Sequence, residues 1–223
     1  MDVKNSPNVM DLEDSSPEEM KHVMRETNRY YQEVTITKVT GDCPFGHKEG
    51  EQFKATSANT DGLCGALYHT IHPYIIAQHY GGEVPWGKES GVFKGMCPEM
   101  GKVQIEMKRI AKGQKRVKKI PEMKDMTGKG FPGIDKYRIF LEIIGTERHC
   151  FWGHKPEERF EVDPFNVGRA CGYLWYAAYP QICVVSSGAK FPWDENEGAA
   201  NTTLGVCPDF YDLTSYRIIR EER

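Results

Sequence analysis

"CPFGHKEGEQF" at 43–53 returns at 150–160 as "CFWGHKPEERF", and this pair of stretches decides how the chain is read. The Cys, Gly-His-Lys, Glu and Phe keep the same spacing in both. A shift of 107 residues lays 43–86 on 150–193 without a gap, and 15 of those 44 positions are identical. Average composition would give roughly 6% identity by chance. After three extra residues in the second copy, Cys97-Pro98 meets Cys207-Pro208. The pattern is that of a tandem duplication.

Both copies carry the same local signals. "EVTITKV" (33–39) alternates and "RIFLEII" (138–144) is more continuously apolar; both read as strands. A loop with the Cys and His follows, then a short strand at "EQFKAT" or "ERFEVD". The stretches after Cys64 and Cys171 are helical but contain Pro73 and Pro180, which predict a kink or two short helices. Gly81 and Gly188 fit helix stops. A Pro-Trp loop, the Cys-Pro loop and a last strand, "KVQIEM" or "DLTSYRII", complete each unit. Ahead of the first copy, Ser16-Pro17-Glu18-Glu19 has the makings of a capped helix running to about Tyr30.

The fold class expected is therefore α+β. Two tandem homologous small domains each carry a short, mostly antiparallel sheet and a kinked helical segment. The boundaries are an acidic tail and helix over 1–29, repeat 1 over 30–110, a basic linker over 111–135 and repeat 2 over 136–223. A unit this small buries little core alone, so the copies should pack together as a pseudo-twofold dimer.

Composition narrows the function. With 39% hydrophobic and 27% charged residues over 223 positions, the chain is that of a soluble globular protein. A net charge of −3 gives no general attraction to nucleic acid or to an anionic membrane. No apolar run spans a bilayer, and the acidic start lacks a secretory signal, so a cytoplasmic location is expected. Residues 111–130, with seven Lys/Arg against one Glu and one Asp, read as a solvated linker. No phosphate-binding glycine loop, Ser/His/Asp arrangement or paired-carboxylate motif stands out.

Seven cysteines in a reducing compartment point to metal or thiol chemistry more than to disulfides. Six fall at matched positions: Cys43, Cys64 and Cys97 with His47, then Cys150, Cys171 and Cys207 with His154. Three thiolates and an imidazole suit iron or zinc, with an iron–sulfur cluster also open. Their spacing is no known zinc-finger signature, since the ligands would converge from three separate loops. The rival reading is an enzyme acting on a small molecule through a Cys64/His47 pair, with Cys64 placed where a helix dipole lowers a thiol pKa. A structural or partner-binding module with buried cysteines is the third. Trp86 and Trp193 either plug the core or wall a small-molecule pocket. His69, His72 and His79 have Tyr176, Tyr179 and Ser186 as counterparts, which favours solvent-facing or hydrogen-bonded histidines over a second metal site. Cys183, in place of Ile76, reads as core packing.

The order "CPFGHKEG", "GLCGAL", "HPY", "GGEVPW", "MCPE" resembles an uncharacterised family of small cysteine-rich proteins, of about ninety residues, common in anaerobic bacteria and archaea. The first copy matches closely. In the second, Phe151 replaces Pro44, Glu157 replaces Gly50 and "GRAC" replaces "GLC". The resemblance covers about 30–110 and 136–220; it implies a single-domain unit, here duplicated, and brings no activity. Because two aromatics flank Cys150, any open site is expected in the first copy, with the second mainly structural.

Overall fold

In "YYQEVTITKV" every second side chain from Gln32 to Ile36 is buried, which is what one covered sheet face requires. The computed structural model of the protein describes residues 30–111, 119–189, 191, 202–209 and 213–223. The expected helix ahead of Tyr30 and Trp193 lie outside the described residues, as do 112–118 of the basic linker.

Strands β1 (Tyr30–Val39), β2 (Gln52–Ala55), β3 (Val92–Met96) and β4 (Val103–Ala111) form one antiparallel sheet in the order β2-β1-β4-β3. Strands β5 (Tyr137–Gly145), β6 (Arg159–Val162), β7 (Thr202–Val206) and β8 (Ser215–Glu222) form a second, ordered β6-β5-β8-β7. Helix α1 (Gly65–His79) packs on the first sheet and α3 (Gly172–Ser186) on the second, and a short α2 (Pro132–Lys136) leads into β5. The class is α+β. Among the described residues no helix is long and apolar enough to cross a membrane.

The halves agree in detail. The irregularity in the β1–β4 register falls between Ile36 and Lys38; that of β5–β8 falls between Ile143 and Gly145, 107 residues on. Long central strands and short outer ones follow from the sequence, since β3 and β7 each bury only one side chain, Phe93 or Thr203. These two strands were not expected. "VFKGM" and "TTLGV" each carry a glycine, and pairing to β4 and β8 defines them.

The helices also differ from expectation. Each runs unbroken for 15 residues through its proline. Pro73 and Pro180 are both exposed, so water can take the carbonyl that proline leaves unbonded, and the turns on either side hold. The buried stripe of α1, including Leu67, Tyr68, Ile71 and Ile75, repeats at three- and four-residue spacing.

The buried apolar residues of both halves make one continuous cluster. At its centre the halves exchange reciprocal bonds. Gly65 N–H donates to the Phe165 carbonyl (2.6 Å) and Gly172 N–H to that of Ala58 (2.9 Å). Gly65 and Gly172 are partners under the 107-residue shift, and so are Ala58 and Phe165. Fully buried Trp175 lies against Gly65, and its Nε1–H donates to the Gly65 carbonyl at 3.0 Å. Tyr68, its counterpart, lies against Gly172. A Cβ on either glycine would overlap the opposing ring or hydroxyl, so both positions need glycine. His69 stacks on Tyr176, its own counterpart, with centroids 5.0 Å apart. Such mutual pairing is the geometry of an isologous interface.

Candidate functional site

The first cysteine loop is folded by its own backbone. Gly46 N–H donates to the Cys43 carbonyl (2.8 Å), closing a turn that holds Gly46 at φ 83°. Gly50 N–H then returns to the Ile36 carbonyl at 2.9 Å, pinning the loop to β1. The second loop repeats these bonds through Gly153 to Cys150 and Glu157 to Ile143. Cys64 and Cys171 are the N-cap residues of α1 and α3, and Cys97 and Cys207 directly follow β3 and β7.

Three separate loops thereby deliver Cys43, Cys64, Cys97 and His47 to the lining of one cavity of about 20 Å³. Phe165 from the second half also walls it. A volume of about 20 Å³ has room for one water-sized guest. Among the described residues no three His, Cys, Asp or Glu side chains converge tightly enough to hold an ion as they stand. All seven cysteines are free.

Several sulfurs face backbone donors. Cys97 Sγ accepts the Val103 N–H at 3.3 Å, and Cys171 Sγ accepts the Leu174 N–H at 3.4 Å. Cys150 lies against the N–H groups of His154, Trp152 and Gly153. Near Cys64 the Leu67 and Ala66 N–H groups act on the thiol, although none makes a cap bond of good geometry. Even so, burial pushes Cys64 up to about 12 and Cys150 above its ordinary value. Contact with the Cys207 thiol, and then burial, lifts Cys171 well above the ordinary thiol value. The helix dipole expected to activate Cys64 is thus outweighed by desolvation. At neutral pH these three thiols keep their protons.

The motif histidines occupy matched places and differ in state. His47 Nδ1 bonds Glu51 Oε2 at 3.1 Å, and its Nε2 accepts the Cys64 backbone N–H at 3.2 Å. Burial pulls its pKa below the ordinary value, with the Glu51 carboxylate opposing. His154 Nδ1 bonds Glu158 Oε2 at 2.9 Å. Its buried Nε2 makes no hydrogen bond of good geometry, and the Cys171 thiol is what it faces. Burial lowers His154 too, but Cys171 and Glu158 together hold its pKa above the ordinary value.

The other sequence candidates sit elsewhere. Trp86 is 69% exposed and walls a separate cavity of about 290 Å³ with Val84, Val92, Phe93, Lys88 and Lys94. That cavity is lined by none of the cysteines. Fully buried His72 bonds the Ser57 carbonyl at 3.0 Å, and His69 stacks on Tyr179 as well as Tyr176. These histidines serve the contact between the helices. Half-buried Cys183 lies beside Tyr179. Lys124, from the linker, belongs to no motif in the sequence; its Nζ donates to the Phe45 carbonyl at 2.8 Å, beside His47. Its one signal was membership of a basic run.

Comparison with protein-family models, curated proteins and solved structures finds no match to this chain.

Proposed function

We propose that the protein is a metal-binding protein, a duplicated unit in which each half holds iron or zinc at its cysteines. The donors are Cys43, Cys64 and Cys97 in one half and Cys150, Cys171 and Cys207 in the other, with His47 and His154 beside them. One observation carries the reading: three cysteines from three distant loops line a single cavity with room for one ion. Three soft sulfurs select zinc or iron over calcium or magnesium. Cysteines buried simply as small apolar groups need no hydrogen-bond donors, whereas N–H groups aimed at sulfur spread the charge of a thiolate ligand. The protons held by the buried thiols leave when metal binds, which makes uptake dependent on pH.

The same cavity weighs against the small-molecule enzyme. It is too small for an organic substrate, Trp86 lies in a different one, and His47 bonds the Cys64 backbone in place of its thiol. The matching of strands, register shift and interface across 107 residues supports reading the chain as a duplication that packs as an internal dimer.

Elemental analysis tests the proposal. Protein purified without oxygen should carry about two ions of iron or zinc per chain, and Cys43→Ser and Cys150→Ser should each remove about one. A content far below one per chain, unmoved by either substitution, contradicts it.

A further inference from the structure

The two motif histidines offer different lone pairs. In the first half both ring nitrogens are committed, Nδ1 to Glu51 and Nε2 to the Cys64 N–H. His47 could bind an ion through Nε2 only by leaving that buried N–H without a partner, an arrangement folded proteins avoid. In the second half the carboxylate of Glu158 holds Nδ1, so that in the neutral ring the lone pair lies on Nε2. The His154 side chain is 3% exposed, and among the described residues that Nε2 has no partner except the Cys171 thiol. Cys171 in turn contacts Cys207. A buried orphan nitrogen aimed at sulfur, with a carboxylate behind it, is the arrangement of a histidine ready to ligate metal.

Access differs in the same direction. Cys43 is half-buried, whereas Cys150 is 6% exposed and flanked by buried Trp152, whose indole N–H is tied to the Arg169 carbonyl.

We infer that the two sites differ in coordination. The second half closes around its ion with Cys150, Cys171, Cys207 and His154 Nε2, a structural site. The first half binds with Cys43, Cys64 and Cys97 alone and leaves the fourth position to an exogenous ligand, water or a small anion. Four protein ligands mark structural zinc sites, and three with an open position mark sites that take a ligand. This inference rests on the metal reading above.

Cobalt(II) and azide test it on the full chain. Cobalt loaded without oxygen should give thiolate charge-transfer bands, and azide should shift the visible bands of about half the bound cobalt. The azide response should vanish in Cys43→Ser and persist in Cys150→Ser. In His154→Ala it should rise about twofold, as a second position opens. A response from both ions or neither in the unaltered protein, or one lost in Cys150→Ser and kept in Cys43→Ser, overturns the inference while leaving the metal reading in place. The wild-type response decides the matter even if a histidine variant does not fold. Absence of any cobalt–thiolate band removes the metal reading and this inference together.

Discussion

The two Cys-x-x-Gly-His-Lys loops share a backbone and differ in what surrounds it. Both close the same turn onto the same strand position, and both place a carboxylate on the histidine Nδ1. In the first loop the imidazole is spent on the Cys64 backbone; in the second it faces the Cys171 thiol. The backbone frame follows residues the copies share. Divergence sits in neighbours such as Pro44 against Phe151 and Gly50 against Glu157. Two loops can therefore share one backbone frame and sit in two environments.

The largest effect expected from breaking this comparison lies where the halves meet. Trp175→Ala should destabilise the protein by about 3–5 kcal/mol, since it empties a fully buried site shared by both halves. Tyr68→Ala should cost a similar amount. Both variants should still unfold in one transition in urea, because one cluster joins the halves. A loss below about 1 kcal/mol, or two separated transitions, would show that the halves stand independently.

Next comes a histidine present only in the first half. Burial pushes His72 down to about 4 from an ordinary value of 6.5. Its folded pKa is depressed, so the unfolded chain binds the extra proton. His72 therefore contributes stability above pH 6.5, and that contribution falls away as pH drops toward 4. The full effect is about 3 kcal/mol for a side chain with no exposure. His72→Gln should flatten the decline in urea midpoint over that window; an unchanged slope would sink the assignment.

The smallest test concerns the loops. Gly50 sits at φ 85°, and Glu157 at the matched place is held at φ 68°, where a side chain is strained. Gly50→Ala should destabilise by about 1 kcal/mol and Glu157→Gly should stabilise by somewhat less, both read from thermal unfolding. Equal and negligible shifts would mean that the loops do not store this strain.

Much of this frame was legible in the sequence. Alternation marks β1, and the repeat carries the reading to β5, β2, β6 and both helices. The cysteines that line the cavity, Cys43, Cys64 and Cys97, stand out because the second copy keeps their counterparts. Edge strands β3 and β7 escaped because pairing defines them more than pattern does. The unbroken helices escaped because the cost of proline depends on whether its turn faces water. The state of Cys64 and His47 was hidden for another reason: a lone pair taken by a backbone N–H 17 residues away, and a thiol desolvated by burial beside a cavity that Phe165 also walls, are facts of packing.

X-ray absorption at the metal edge of protein purified without oxygen tests the central claim most directly, because it reads the donors themselves. The account predicts a sulfur shell near ~2.3 Å with about three sulfurs per ion and a minor nitrogen or oxygen contribution. A shell of nitrogen and oxygen alone near ~2.0 Å would contradict it.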